Sequence, residues 1–268
     1  MIKRCLTAVV FFVFLLPMFI WNDTIILNIS IAVFAGISSY EVFKVTKIKS
    51  PVIMAFNILV SVSVPLFFNV LKDYILIICI LYIMILFTYF IFNNKNTNLI
   101  NIMQIFFLEF YVTVFYTSVL FVRGIENVGL YLFFLIFISS WVTDTFAYFT
   151  GFLIGKHKLC PTISPKKTIE GSIGGILFTM IAYFVYSYIL ANNFNVNVNY
   201  FTLFILGFLT SVISQIGDLS ASLIKRYYDV KDYGKLLPGH GGIMDRFDSV
   251  LFVAPLIYCF TTLFTVFK

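Results

Sequence analysis

The sequence is a succession of long apolar stretches separated by short polar segments. A helix that crosses a bilayer needs about 20 mostly apolar residues. The pattern predicts nine transmembrane helices, near residues 5–21, 24–40, 51–70, 74–92, 100–121, 129–154, 172–192, 200–221 and 249–267. Little of the chain remains for a soluble domain. We therefore expect an all-α polytopic membrane protein with one membrane domain over residues 1–268, made of N-terminal helices in 1–140 and a functional half in 141–268.

The composition supports this interpretation. Of the 268 residues, 61% are hydrophobic, 19% aromatic and only 11% charged, with a mean hydropathy of +1.01. Soluble domains carry about 25% charged residues, so soluble globular and disordered classes are excluded. The four cysteines are scattered and only two histidines are present, which excludes a zinc cluster or a disulfide framework.

Lys and Arg residues concentrate on one side of the predicted membrane. If the N-terminus is cytoplasmic, 15 of the 18 fall in cytoplasmic segments, and only Lys72, Arg123 and Lys268 fall outside. This distribution follows the positive-inside rule. It explains the net charge of +6 without nucleic acid as a partner. Both long polar loops, 155–171 and 222–248, are then cytoplasmic. The first span lacks a small-residue cleavage site and is expected to be an uncleaved anchor.

Polar residues recur at three- and four-residue steps in the eighth span, and so share one helical face. They are Ser211, Ser214, Gln215, Asp218 and Ser222, with Lys225 and Arg226 extending the face beyond the membrane. Such a helix is expected to line a cavity rather than face lipid. Ionisable residues inside a bilayer are costly and indicate function, which makes Asp218 a candidate site residue.

The sixth span carries a weaker stripe that includes Ser140, Thr143 and Asp144. Small and hydroxyl residues of this kind typically join packed helices, whereas an unpaired Asp does not, so Asp144 is a second candidate. In the first half of the chain, Glu41 is interpreted as a span-end residue. Glu109 is interpreted as a partner within the bundle.

The loop 155–171 contains adjacent cations and a glycine motif. The G-x-x-x-G-K-H stretch from Gly151 to His157 is one residue short of a Walker A loop and lacks its final Ser or Thr, so we reject a phosphate-binding loop there. Thr168 is expected to cap the next helix. Lys166 and Lys167 fit either an anionic lipid contact or a specific site, and the sequence leaves both open.

The loop 222–248 packs five cations, four carboxylates and four glycines into 27 residues. Gly239, Gly241 and Gly242 permit positive φ and close backbone approach to phosphate. Carboxylates beside Lys and Arg suit a polyphosphate bound with Mg²⁺. The alternative is a solvated loop with balanced ion pairs, which would not need so many glycines.

Three segments carry a family resemblance. Segment 222–248 begins with S-L-I-K-R, continues with K-D-x-G and ends with L-P-G-H-G-G-I-x-D-R-F-D. It resembles the signature of the phosphatidate cytidylyltransferases, the CDP-diacylglycerol synthases. The segments D-T-F-A-Y-F-T-G through P-K-K-T-I-E-G (144–171) and Q-I-G-D-L-S-A-S (215–222) are similar to further blocks of that family. The first 140 residues match only as apolar spans.

This resemblance implies a membrane enzyme that converts CTP and phosphatidate to CDP-diacylglycerol and diphosphate. It also implies a Mg²⁺ requirement and a homodimer. From the Lys and Arg distribution we expect the active site on the cytoplasmic side of the cell membrane. We expect Asp218 and Asp245 to be the metal ligands. The other expected catalytic residues are Lys225, Arg226, Arg246 and Asp248. The expected substrate-binding residues are Asp144, Lys166, Lys167, Ser222, Lys231, His240, Gly241 and Gly242.

Two other functions remain as alternatives. A CTP-dependent relative could act on an ether-lipid phosphate or phosphorylate a polyprenol, since the apolar walls that select the acceptor are not resolved by the sequence. A transporter could use Asp144 and Asp218 as a proton or cation path. The absence of an inverted repeat and the charged, glycine-rich loop argue against the transporter.

Overall fold

The computed structural model describes residues 13, 15–46, 48, 50–95, 97–239 and 241–268. The helices with assigned bounds are α1 (Ile25–Val45), α2 (Pro51–Leu66), α3 (Phe68–Leu71), α4 (Ile75–Phe92), α5 (Leu99–Arg123), α6 (Gly129–Ile154), α7 (Ile169–Phe194), α8 (Tyr200–Tyr227) and α9 (Met244–Leu263). A 3₁₀ turn, Lys72–Tyr74, joins α3 to α4. Two strands, β1 (Lys158–Cys160) and β2 (Ser164–Thr168), lie between α6 and α7.

The architecture confirms an all-α polytopic membrane protein. Within the described residues, seven helical segments are long and apolar enough to cross a bilayer, when α3, the 3₁₀ turn and α4 are taken together as Phe68–Phe92. The predicted span at 51–70 is shorter than expected, because α2 ends at Leu66. The predicted span at 5–21 falls largely outside the described residues. Nine spans and a cytoplasmic N-terminus stay predictions.

The chain divides into two compact units. The first unit comprises the described residues up to Leu120 together with Asp232–Asp245. The second comprises Phe121–Lys231 and Arg246–Lys268. The expectation of a single membrane domain, with its division at residue 140, stays a prediction.

The second unit is built on close contact between α6 and α7. A Cβ atom added at Gly175 would lie 3.0 Å from the Thr143 carbonyl and 3.3 Å from the Ala147 methyl group, and one added at Gly174 would overlap Thr150. Small residues let membrane helices approach closely and pack by van der Waals contact. In α8, Gly217 serves the same purpose, because its added Cβ would lie 2.8 Å from a backbone oxygen of α9.

The first unit contains α1 to α4, most of α5 and the segment Asp232–Asp245. Hydrogen bonds between side chains join α1 to α5. The Ser38 and Tyr116 hydroxyl groups lie 2.8 Å apart, and Ser39 donates to the Glu109 carboxylate at 3.0 Å. Thr113 donates to the other oxygen of Glu109 at 2.7 Å. The interpretation of Glu109 as a partner within the bundle is confirmed.

Helix α9 begins at Met244, whereas the sequence placed the start of the last span at residue 249. Asp245, Arg246 and Asp248 therefore lie in the first turns of a helix and not in a loop, which corrects the predicted loop boundary of 222–248. Helix α8 likewise continues to Tyr227. The apolar pattern marks only the membrane-embedded part of each helix, so polar helix ends were interpreted as loop.

The strands β1 and β2 were not predicted. They pair antiparallel within the loop 155–171, with Lys158 opposite Thr168 and Cys160 opposite Ser164. Proline is tolerated in a strand at a sheet edge, so Pro165 does not prevent the pairing. Two strands of three and five residues have too few alternating positions for sequence periodicity to reveal them.

Candidate functional site

Lys167 and Asp218 form an ion pair in the second unit. The Lys167 Nζ atom lies 2.6 Å from the Asp218 Oδ2 atom, and both side chains are partly exposed, at 24% and 29%. Ser222, one turn further along α8, donates to Asp218 Oδ1 at 3.4 Å. The strand β2 presents the lysine and the helix α8 presents the carboxylate, so the pair connects two of the segments that carry the family resemblance.

A second pair of carboxylates is connected through Ser249. The Ser249 hydroxyl lies 3.2 Å from Asp144 Oδ2 on α6 and 3.4 Å from Asp248 Oδ1. The backbone N–H of Ser249 also donates to Asp248 at 2.9 Å. The sequence did not single out Ser249, although it follows directly after the signature.

The charged groups of the second unit interact electrostatically. Asp248 is within range of the charges on Asp218, Asp144 and Lys225. Asp144 is in turn within range of Lys167 and of Arg246, which is exposed. Lys225 is 8% exposed. Buried charges need partners, and here three carboxylates are matched by three cations. Cations and carboxylates in such proximity are suited to bind phosphate together with a hard metal ion.

The deep end of the α8 polar stripe joins helices. Thr143 on α6 donates to Ser211 at 2.9 Å, and its hydroxyl lies 2.8 Å from that of Thr179 on α7. Gln215 donates to the Ser172 carbonyl at 3.4 Å. The predicted role of Thr143 in helix contact is confirmed. Ser211 has the same role, because it is fully buried and accepts the hydrogen bond from Thr143.

The start of α7 fixes the strand that carries Lys167. Thr168 caps this helix as expected, accepting a hydrogen bond from the Gly171 N–H at 3.1 Å. An added Cβ at Gly151 would lie 2.7 Å from the Thr168 hydroxyl, and one at Gly155 would lie 2.8 Å from it. Gly151 and Gly155 therefore make space for this cap, which supports rejecting a Walker A loop.

In the first unit, Asp245 organises the glycine-rich segment. Its Oδ2 atom accepts hydrogen bonds from the backbone N–H groups of Tyr233 and Gly242, both at 2.9 Å. Gly239 and Gly241 have φ values of +80° and +85°, which confirms the expected positive φ at these two positions. Asp245 is 8% exposed.

Glu41 was not expected to take part in a site. It is 4% exposed, and its Oε2 atom accepts the Met244 N–H at 3.0 Å, with Ile243 as a second backbone donor. The available signal was an ionisable residue at the end of the predicted span 24–40. Its position near the span end led to the interpretation of a boundary residue.

Other predicted residues do not join these clusters. Arg226 donates to the Val230 carbonyl at 3.3 Å and is exposed. Lys166 and Lys231 are exposed, and His240 lies outside the described residues. Asp218 belongs to the second unit and Asp245 to the first, so their joint role as metal ligands stays a prediction.

The donor set is compatible with a magnesium ion that is shared with a substrate. No group of three or more His, Cys, Asp or Glu residues in the described part of the chain is arranged to hold a metal. Mg²⁺ is characteristically bound by one or two carboxylates together with substrate phosphates and water. Asp218, which is partly exposed beside Lys167, meets that requirement.

The chain matches the model of the cytidylyltransferase family over residues 2–264. A phosphatidate cytidylyltransferase of Bacillus subtilis (strain 168) is 43% identical over 144 residues, 54% of this chain and 52% of the relative. Relatives of the same name from Staphylococcus haemolyticus (strain JCSC1435) and Staphylococcus aureus (strain COL) are 48% and 46% identical, covering 48% and 52% of either chain. The chain thus spans about half the length of these curated relatives. The match over residues 2–264 shows that the chain belongs to the cytidylyltransferase family.

Proposed function

We propose that this protein transfers the cytidylyl group of CTP to phosphatidate, forming CDP-diacylglycerol and diphosphate. The names of three similar bacterial proteins support this substrate pair. The observation that carries the proposal is the partly exposed ion pair between Lys167 on strand β2 and Asp218 on the polar face of helix α8, in a chain made largely of apolar spans. A reaction between a membrane lipid phosphate and a water-soluble nucleotide requires charged groups that are exposed beside the apolar spans.

The reaction needs no nucleophile from the protein. The phosphatidate phosphate is largely ionised at neutral pH, since the second pKa of a phosphate monoester is about 6. One of its oxygens attacks the α-phosphorus of CTP, and the bond from that phosphorus to the β-phosphate oxygen breaks, releasing diphosphate. The protein contributes positioning and charge neutralisation. In the second unit, the cations that interact with the carboxylates Asp144, Asp218 and Asp248 are Lys167, Lys225 and Arg246.

We further propose that Mg²⁺ assists the reaction, with Asp218 and Asp245 as its protein ligands, a pairing that rests on the family resemblance alone. When bound, the ion would neutralise phosphate charge as the diphosphate leaves. Lys167 would hold the Asp218 carboxylate in place beside the nucleotide. Two backbone N–H groups fix the position of the Asp245 carboxylate by donating to its Oδ2 atom.

A site on the cytoplasmic side and a homodimer belong to the same proposal. The Lys and Arg distribution supports the orientation, and the family resemblance supports the dimer. A cysteine introduced at Lys231, which is exposed, should react with an impermeant maleimide in inside-out vesicles and not in right-side-out vesicles. Mass measurement in detergent should give two chains per particle.

The acceptor can be tested with purified protein in mixed micelles. Phosphatidate, an ether-lipid phosphate and a polyprenol are supplied separately with CTP and Mg²⁺, and the nucleotide and the γ-phosphate incorporated into lipid are both measured. Incorporation that is greatest with phosphatidate supports the proposal. Preference for the ether lipid would keep the chemistry and replace the acceptor. Failure to consume CTP with any of the three acceptors, in folded protein, would contradict it.

A further inference from the structure

The carboxylate of Glu41 in α1 contacts the described part of loop 232–243 at several points. Its Oε2 atom accepts the backbone N–H of Met244 at 3.0 Å, and the Ile243 N–H donates to the same carboxylate. Glu41 is separated from Met244 by 203 positions in sequence. A residue of the N-terminal helices therefore binds the segment that carries the glycine-rich signature.

Two glycines of that loop contact the Glu41 side chain directly. A Cβ atom added at Gly234 or at Gly242 would overlap the Glu41 carboxylate. Gly242 has no positive φ, so its backbone conformation does not require glycine. The close approach of the carboxylate gives a reason for glycine at both positions, and it indicates that Glu41 and the loop fit each other tightly.

Asp245 shares this network with Glu41. Its Oδ2 atom accepts the N–H groups of Tyr233 and Gly242, and Gly242 also packs against Glu41. The two carboxylates thus accept hydrogen bonds from four backbone N–H groups, one near the start of the loop at Tyr233 and three at its end, in residues 242–244. Displacement of the loop would move the Asp245 carboxylate with it.

A buried carboxylate is an expensive way to pack a helix. Removing a charged group from water costs several kcal/mol, and an apolar residue of similar volume is often equally stable. Hydrogen bonds to backbone N–H groups reduce the cost only if their geometry is fixed. An acid at residue 41 is therefore better explained by a requirement for loop geometry than by stability.

We infer that Glu41 is a positioning residue that holds loop 232–243 and the Asp245 carboxylate in their working arrangement. The inference rests on the proposed function, because the effect of Glu41 on turnover would pass through Asp245. Glu41 itself need not touch the substrates.

The test compares Glu41→Ala and Glu41→Gln with Glu109→Gln in full-length protein. Glu109 is also buried in the first unit, but its partners are Ser39 and Thr113. Glutamine at residue 41 keeps the size and one acceptor oxygen, so Glu41→Gln should retain more function than Glu41→Ala. Glu41→Gln also keeps the test informative if Glu41→Ala does not fold.

The first readout is hydrogen exchange, which does not depend on activity. Loss of a hydrogen bond to a charged group should accelerate amide exchange by about tenfold. In Glu41→Gln we expect acceleration at Tyr233 and Gly242, the donors to Asp245, as well as at Ile243 and Met244. Glu109→Gln should leave these four amides unchanged. Unaltered exchange at Tyr233 and Gly242 in both Glu41 variants would overturn the inference.

The second readout is the Mg²⁺ dependence of cytidylyl transfer. Displacing a reacting geometry by about 1 Å can cost roughly 100-fold in rate, so we expect a loss of that size in kcat/KM for Glu41→Ala, with a higher half-saturating Mg²⁺ concentration. A lower kcat with unchanged Mg²⁺ dependence would indicate a merely structural role and contradict the inference. Absence of transfer by the unaltered protein would instead contradict the proposed function, and the exchange comparison would still stand.

Discussion

The Lys167 ammonium group lies 2.6 Å from the Asp218 carboxylate, which joins strand β2 to helix α8. Its neighbour Lys166 is exposed, so two adjacent lysines have different surroundings. Successive side chains of a strand point to opposite faces. The strand conformation of β2 therefore gives Lys166 and Lys167 different environments, although the sequence analysis assigned the two residues the same role.

Replacement of Lys167 by alanine should reduce cytidylyl transfer roughly 100-fold, because a cation beside the reacting phosphates is lost. In the matched variant Lys166→Ala, the reduction in cytidylyl transfer should be smaller by a factor of about ten or more, since Lys166 lies outside the ion pair. Steady-state kinetics with CTP and phosphatidate measures both. Equal losses in the two variants would contradict the assignment of Lys167.

Asp218→Asn should reduce turnover more than tenfold, which corresponds to about 1.4 kcal/mol of transition-state stabilisation. The amide keeps the size of the side chain but removes the charge that pairs with Lys167 and is proposed to bind Mg²⁺. Asp73→Asn, in the exposed 3₁₀ turn, is the control for expression and membrane insertion. Retention of more than about a tenth of the rate would contradict the metal assignment. The losses from Asp218→Asn and Lys167→Ala should also be non-additive when combined.

The predictability of this site differs between its parts. Asp218, Asp144 and Asp248 were found because charges stand out in an apolar sequence, and the structure brings the three into one electrostatic cluster. Ser249 was missed because a serine is common in helix contacts and carries no charge. Its role depends on the packing of α9 against α6, a tertiary relationship that sequence spacing does not contain.

Chelation should abolish transfer without unfolding the protein. The described residues contain no ready-made cluster of three or more metal-binding side chains, so the proposed ion depends on the substrate phosphates for part of its coordination. We expect EDTA to remove activity, added Mg²⁺ to restore it, and the Tm in detergent to change by less than about 2 °C, in contrast to structural metal sites. A large fall in Tm on chelation would indicate a structural metal instead.

Gly175→Leu should destabilise the second unit, because the new side chain meets the Thr143 carbonyl and the Ala147 methyl group of α6. Overpacking of this kind typically costs about 1–3 kcal/mol. The control is Ile173→Leu on the same helix, where the native side chain is 53% exposed. Thermal unfolding in detergent should show a lower Tm for Gly175→Leu only. Equal Tm values would contradict the close contact of α6 and α7.

The fold was predictable at the level of apolar spans, and less so at helix ends. The start of α9 was placed five residues late, because Asp245, Arg246 and Asp248 resemble loop residues in a hydropathy pattern. The contacts of Glu41 were missed for a related reason. Its partners Ile243 and Met244 lie about 200 positions away in sequence, and no local pattern records such a contact.

The central claim is transfer of the cytidylyl group to a lipid phosphate, and parallel assays with α-labelled and γ-labelled CTP test it most directly. With phosphatidate and Mg²⁺, we predict that the α label enters the lipid phase and the γ label leaves as diphosphate. The Asp218→Asn protein, shown to be folded, should give neither product. Appearance of the γ label in lipid would demonstrate a kinase reaction and contradict the account. The account would also be contradicted if the α label did not enter the lipid phase or the γ label did not appear in diphosphate.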